Sequence, residues 1–574
     1  MLTKLRIRNF KRLDDVEIEL GNPVVFVGPN NSGKTTALQA LSLWDVGRRK
    51  WAAKRSERKS PTKRPGVTIN RKDLLAAPVP VADLLWSGLH VRESKRTNGT
   101  AKTKNIRIDI EVSGVTDNAE WTCGFEFDYG NVESIYCRPL RLPGYEDEPV
   151  DKAKLSEIPE SMKDVRVAFL PPMSGLAAEE PKIEPGRIDV LLGQGQTAQV
   201  LRNICYENYE ASPTDWAELS GIVEKLFGVE LLPPVFLVER GEVTMEYIER
   251  GIRLDLSAAG RGLQQTLLIL AFLFRNPNTV LLLDEPDAHL EILRQREMFS
   301  VINEQATLRG CQIIAASHSE VVLNEAASSS KVVAFVGKPH TMNDRPTQVL
   351  KSLRDIGWED YFLAEETGWV LYLEDETDLL ILQRFARLLK HPADVVLQRP
   401  FFHRVTTNVP ALARDHFYGL REARPDLVGI AIFDRLDKEL HIGQPLTELA
   451  WKRREIENYL CQREALVRYA RGENDLFSRP RIDAMNEEIA KLEAAFQVVR
   501  RPDPWSPDTK ASDDFLDPLF KNYFARLGLR LEFRKRDYCQ LVDLLDPATV
   551  DNEVREKLDA IVEVAQRARF VPML

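Results

Sequence analysis

Residues Gly28-Pro-Asn-Asn-Ser-Gly-Lys-Thr35 fit the spacing GxxxxGK[ST]. Their context makes this the most constraining stretch of the chain. The apolar run Val24–Val27 stands directly before it and reads as a short buried strand, and the residues after Thr35 read as a helix. A strand–loop–helix of this composition is built to hold phosphate. The backbone of Gly28, Asn30, Asn31, Ser32, Gly33 and Thr36 can close around the anion, and the helix adds its positive end. Lys34 reaches the outer phosphate oxygens and Thr35 offers a hydroxyl to Mg2+. The competing reading is a chance glycine-rich turn.

Three later stretches bear on that choice. Residues 280–283 are apolar without alternation and end in Asp284 and Glu285. Such a run suits a strand buried on both faces of a parallel sheet, and its carboxyl end lies where such sheets bind ligands. Beside a Mg2+–phosphate, the first acid can hold the metal and the second can polarise water. Acids at a helix N-terminus are the plainer explanation. Ser257, Gly260 and Gly262 precede an apolar helix that runs through Phe274, either a second anion-binding N-terminus or an ordinary serine cap. Residues 311–316 read as a further buried strand, ending in Ser317-His318-Ser319. His318 is placed to sense a terminal phosphate, or is a surface histidine.

At 574 residues the chain exceeds one ordinary core, so two or more domains are expected. No apolar run reaches the roughly 18 residues that span a bilayer, and the charged N-terminus does not read as a signal peptide. Six scattered cysteines without a CxxC pair suit a reducing cytoplasm. A net charge of −9 confines any nucleic-acid contact to local patches. One basic run, residues 48–64, has nine Lys and Arg against Glu57 alone. It reads as a nucleic-acid contact with Trp51 free to stack, or as a solvated loop. Alternating strands at residues 106–112 and 123–127 suggest a β-rich insertion over roughly 45–165.

The second half repeats one pattern. The apolar run Trp369–Leu373 ends in Glu374-Asp-Glu-Thr-Asp378 ahead of a helix over residues 379–389. Residues 427–433 end in Asp434-Arg-Leu-Asp437. Residues 451–460 read as the start of a helix carrying Glu455 and Glu457, and Arg534-Lys-Arg536 lies further on. Carboxylates at successive strand ends fit a divalent-metal site, whereas single acids there fit helix N-termini.

Taken in order, the loop at Gly28–Thr35, the stretch from Ser257, Asp284-Glu285 and His318 resemble the ABC-type ATPase heads of the SMC, RecF and OLD (overcoming lysogenization defect) group. The resemblance implies an α/β fold, with an SMC/RecF-like ATPase head carrying the β-rich insertion. It implies that Lys34 and Thr35 bind ATP and Mg2+, that Asp284 holds the metal, that Glu285 is the general base and that His318 is the switch histidine. Ser257 and Gly260 would contact ATP held by another protomer, which makes a homodimer or higher homo-oligomer through the heads the expected assembly. The signature reads LSAAGRGLQQ, a variant of LSGGQ similar to that of OLD-like ATPases. The second half resembles a Toprim domain, a Rossmannoid α/β fold. Glu374 matches its glutamate and Asp434 the first aspartate of its DxD motif, Leu436 stands where the second aspartate belongs, and Asp437 follows one residue later. Glu457 and Lys535 resemble acidic and basic positions of OLD-like Toprim domains, and Asp378 completes the expected Mg2+ or Mn2+ ligands.

The expected organisation is an ABC-type ATPase over 1–365, followed by a Toprim-like nuclease domain with C-terminal helices over 366–574. The expected function is an ATP-hydrolysing, metal-dependent nuclease in anti-phage defence, acting on DNA ahead of RNA, without membrane contact. Two alternatives stand beside it. One is an ATPase sensor or scaffold with a degenerate Toprim domain controlling a separate defence partner. The other is a RecF-like repair ATPase.

Overall fold

Val24–Val27 is a strand, and every residue in it is buried. In the computed structural model it belongs to a six-stranded sheet. The order is Val167–Leu170, Val280–Asp284, Gln312–Ser317, Val24–Val27, Lys331–Ala334 and His340–Thr341. The first five run parallel and the last is antiparallel. Structure is described for all residues except 57–65, 75, 98–99, 146–151, 178, 343–355, 406–407, 437–439, 441–442, 473–477 and 569–574. The chain divides into two units, Met1–Pro346 and Thr347–Pro572.

The unbroken apolar run at 280–283 follows from burial on both faces. Leu282 joins one apolar core, while Leu281 and Leu283 join the other. The helix Arg261–Arg275 covers the second face, and each of its residues from Leu263 to Phe274 is buried. A helix apolar on all sides belongs inside.

A second, antiparallel sheet packs on the other core. Its order is Leu13–Glu19, Leu2–Phe10, Ile108–Thr116, Ala119–Asn131, Ser134–Pro139 and Val67–Asn70. The region expected as an insertion thus completes a sheet begun by the N-terminal strands. Ile108–Thr116 alternates buried and half-buried residues, as a one-sided strand should. Helix Lys34–Ser56 touches strands of both sheets. Trp44, fully buried on it, donates its Nε1 hydrogen bond to the Cys123 carbonyl at 2.9 Å.

That helix corrects the reading of the basic run. Residues 48–56 are helical, and Trp51 is only 8% exposed in the apolar core. Arg48 is buried and paired with Asp45 at 2.7 Å. Trp51 is therefore not free to stack on a base. The remainder of the run, from 57, lies outside the described residues.

The second unit is built on a four-stranded parallel sheet ordered Phe402–Arg404, Trp369–Leu373, Val428–Phe433, Leu446–Ala450. Leu371 and Leu373 face a core shared with helices Glu376–Leu388 and Asn552–Arg567. Tyr372, between them in sequence, faces the opposite side, where its ring meets Phe417 of helix Pro410–Ala423. Helix Trp358–Thr367 touches both that helix and strand Trp369–Leu373, so this unit begins upstream of residue 366. Residues 451–460 do not begin an α-helix. Ile456–Tyr459 forms a single 3-10 turn, held by Asn458. The Asn458 side chain accepts from the Glu455 amide at 3.0 Å and donates to the Thr509 carbonyl at 2.9 Å.

Candidate active sites

Parallel strands present their carboxyl ends at one rim. In the first unit that rim collects Gly28, Asp284-Glu285 and Ser317-His318, because strand Gln312–Ser317 lies between the other two. Gly28 has φ 149°, and a Cβ there would stand 2.7 Å from the Phe335 carbonyl oxygen. Only glycine lets the loop turn so close to the neighbouring strand. Lys34 is buried, and its ammonium donates to the Gly28 and Pro29 carbonyls, each at 2.8 Å. The loop is thereby held curled around its own lysine. Burial pulls the Lys34 pKa down, against the attraction of Glu285, Asp284 and Asp287.

Thr35 Oγ1 donates to Asp284 Oδ1 at 2.9 Å. Burial pushes Asp284 up to about 6, and nearby Glu285 adds to the push while the Thr35 hydrogen bond opposes it. Glu285 has φ 48°, a conformation in which a non-glycine residue is strained by about 1 kcal/mol or more. Its amide donates to the Ala316 carbonyl at 2.8 Å, and its Oε1 stands 3.7 Å from His318 Nδ1. Two buried oxygens at this rim, Ser32 Oγ and Asp287 Oδ1, have no hydrogen-bond partner. A lysine, a hydroxyl–carboxylate pair and unsatisfied buried oxygens together fit a Mg2+–nucleotide, held by Lys34, Thr35 and Asp284. Asp287 escaped sequence reasoning because it lies beyond the strand end, where an acid reads as helix capping.

Ser257 and Gly260 lie on an exposed edge, with Gly260 capping helix Arg261–Arg275. Open space lies where a Gly260 Cβ would be. Behind them the loop is braced. Asp255 Oδ1 accepts from the Ser257 amide at 2.8 Å and from Arg202 Nη2 at 3.1 Å, and Arg202 is 1% exposed. Gln264 donates to the Leu256 and Ala259 carbonyls at 3.1 and 3.0 Å.

The second unit repeats the rim arrangement with acids. Glu374 follows strand Trp369–Leu373, and Asp434 follows Val428–Phe433, at the same end of the sheet. Asp378 sits in the first turn of helix Glu376–Leu388, its Oδ2 accepting from the Asp375 amide at 3.3 Å. Glu455 and Glu457 come from the buried turn, each 2% exposed, and Lys535 comes from the 3-10 helix Lys535–Leu544. Lys535 Nζ lies 3.6 Å from Glu457 Oε1, an oxygen that has no hydrogen bond.

These charges feel one another. Burial pushes Asp434 up to about 9, reinforced by Glu374, Asp378, Glu457 and Glu455. Burial pushes Glu457 up to about 8, with Glu455 adding and Lys535 opposing. Asp378 rises to about 7, from burial and then Glu374. Burial works to lower Lys535, but Glu457, Glu455 and Asp378 more than offset it and raise its pKa. Among the described residues, no three of these acids bring ligand atoms within 4.8 Å of one another. A group of acids, half-buried at Glu374, Asp378 and Asp434 and buried at Glu455 and Glu457, with one lysine and an unsatisfied Glu457 oxygen, fits a divalent cation. Asp437 lies outside the described residues, and Leu436 is half-buried. Glu455 joins the cluster although its spacing carries no motif.

Comparison with known proteins agrees with the first rim. Residues 1–112 match the family described as AAA ATPase domain, and residues 205–324 match the family described as AAA domain, putative AbiEii toxin, Type IV TA system. The chain is 46% identical over 43 residues to the OLD nuclease of Thermus scotoductus, a match spanning 8% of this chain and 8% of that protein. Among solved structures, the SMC head domain from Thermotoga maritima is 16% identical, with 59% of this chain and 98% of that one covered at a TM-score of 0.31. An Smc head domain derived from Pyrococcus furiosus, with an extended coiled coil and bound to the C-terminal domain of ScpA, is 14% identical, with 62% and 99% covered at a TM-score of 0.34. The first unit is a P-loop ATPase domain. Among the described residues no helix is long and apolar enough to cross a membrane.

Proposed function

We propose that this protein is an OLD-type enzyme of the bacterial cytoplasm, in which an ATPase dimer regulates metal-dependent phosphodiester cleavage by a Toprim-like second domain. The observation that carries the reading is the acid cluster. Glu374, Asp378, Asp434, Glu455 and Glu457 come from three separate parts of the chain and act on one another's ionisation beside Lys535. A nucleic acid, DNA ahead of RNA, is the substrate whose chemistry suits such a site, and defence against phage is the setting we infer.

In the ATPase, Lys34 would hold the outer phosphates, and Thr35 and Asp284, joined by their hydrogen bond, would hold the nucleotide's Mg2+. Glu285 takes the proton from the attacking water, and His318, whose Nδ1 lies 3.7 Å from that carboxylate, is the switch histidine that senses the terminal phosphate. Ser257 and Gly260, exposed on a braced loop, complete the site of a second protomer. In the second unit, Glu374, Asp378, Asp434 and Glu457 would hold Mg2+ or Mn2+, with Asp437 as a further ligand. When bound, such ions supply Lewis acidity and lower the pKa of water. Lys535 balances the negative phosphodiester oxygens as they approach the acids.

The deciding assay incubates purified protein with plasmid, linear DNA and tRNA, with Mg2+ or Mn2+, with and without ATP. Metal-dependent cleavage of at least one substrate supports the reading. ATP turnover without cleavage of any of them favours a sensor that controls a separate defence partner. Leu436, where the Toprim pattern has its second aspartate, is the observation behind that alternative, and cleavage gained by Leu436→Asp would mark a decayed site. A RecF-like repair ATPase is disfavoured because it has no use for the second cluster.

A further inference from the structure

On the opposite face of strand Trp369–Leu373 from the Leu371–Leu373 core, three side chains converge on one point. His403 Nδ1 lies 3.0 Å and His416 Nε2 lies 2.9 Å from the same oxygen, Asp360 Oδ2. The two imidazoles stack with centroids 3.6 Å apart and planes 21° apart. Among the described residues, this is the one group of three whose ligand atoms all lie within 4.8 Å of one another. The ligands come from helix Trp358–Thr367, strand Phe402–Arg404 and helix Pro410–Ala423, so regular elements hold each of them.

A fourth residue orients the set. His416 Nδ1 lies 2.9 Å from the Tyr372 hydroxyl, and Tyr372 is fully buried. Fixing one imidazole nitrogen by hydrogen bond leaves the other aimed, which is how proteins hold metal-ligating histidines. The Tyr372 ring also meets His403 edge-on at 5.6 Å. Ligand–ligand separations of about 3 Å are the edges expected around an ion with bonds of about 2.0–2.1 Å. The side chains of Asp360 and His403 remain 23% and 29% exposed, so solvent can supply a further ligand.

We propose that Asp360, His403 and His416 form a binding site for a zinc-class divalent transition metal, separate from the acid cluster. Two imidazoles and one carboxylate select zinc, cobalt or nickel over magnesium, whereas the oxygen-only cluster selects hard cations. The ion would tie two helices and the edge strand to the strand that carries Glu374. Its role there is to brace the sheet.

The test uses the full chain, stripped with a chelator and dialysed against Zn2+ in a large excess of Mg2+ that fills the oxygen sites. Bound zinc is counted by emission spectrometry, and Co2+ in its place reports nitrogen ligation through its visible spectrum. One Zn2+ per chain is expected, lost in His403→Ala and Asp360→Asn. Tyr372→Phe removes only the hydroxyl and should weaken binding about tenfold to hundredfold. Circular dichroism verifies that each variant is folded. The proposal is overturned if wild type retains no zinc, if His403→Ala folds and retains it fully, or if Glu374→Ala abolishes it instead.

Discussion

Thr35 and Asp284 are 249 residues apart in sequence and 2.9 Å apart at the hydroxyl–carboxylate hydrogen bond. That one contact closes the nucleotide rim: the hydroxyl leads the helix after the phosphate loop, and the carboxylate ends the strand two places across the sheet. Glu285, next in sequence, turns away from the strand in a left-handed conformation towards His318.

Glu285→Gln keeps the shape of the side chain and removes its basicity. ATP turnover is expected to fall about 100-fold or more, the usual loss for a general base, with ATP binding retained. Light scattering with ATP should then show a longer-lived dimer. Undiminished hydrolysis would remove Glu285 from its assigned role.

Gly28→Ala tests the loop geometry. The added methyl meets the Phe335 carbonyl at 2.7 Å and sits at a φ that side chains avoid. A cost of about 1–3 kcal/mol concentrated in the phosphate loop should weaken ATP binding about tenfold to hundredfold. Fluorescent-nucleotide titration measures it, with far-UV circular dichroism unchanged.

Glu374→Ala should separate the two activities. Nucleic-acid cleavage is expected to disappear while ATP hydrolysis stays within about twofold of wild type. Parallel assays on one preparation decide the point, and normal cleavage by the variant would refute the assignment.

The acid cluster predicts a pH dependence with a definite sign. Asp378, Glu457 and Asp434 rise to about 7, 8 and 9, above the unfolded carboxylate range near about 4. Between those limits the folded state binds more protons than the unfolded one, so stability falls as pH rises. Without divalent metal, thermal melting should therefore drop from pH 6 to pH 9 by about several degrees. Added Mn2+ should restore it most at the alkaline end. Asp434→Asn should flatten the pH trend and blunt the response to Mn2+. A melting temperature in wild type that rises across this range would contradict the electrostatics.

Local patterns carried much of this molecule. Unbroken apolar runs announced the strands at Val24–Val27, Val280–Asp284 and Trp369–Leu373, because parallel strands are covered on both faces. Acids immediately after such runs could be read as rim residues. What escaped was set by long-range packing. Trp51 lies in a basic run but is buried in a core that draws residues from both sheets, which only the folded chain brings together. The turn at Ile456–Tyr459 reads as helical because Ile456, Tyr459 and Leu460 stand at i, i+3 and i+4, whereas Asn458 bonds to a loop 51 residues away. Asp360, His403 and His416 span 56 residues without a motif, and only the sheet assembles them.

The brace behind Ser257 has a thermodynamic consequence. Arg202 is buried, and Asp255 ties it to the Ser257 amide. Glu180, itself buried, accepts from the Arg202 amide at 2.9 Å. The exposed loop is therefore ordered before anything docks on it. A surface that meets Ser257 and Gly260 loses little conformational entropy in doing so, which leaves more of the contact energy to hold the complex. Severing the brace at Arg202 would shift that ordering cost onto association, and weaken it without altering a single contacting residue.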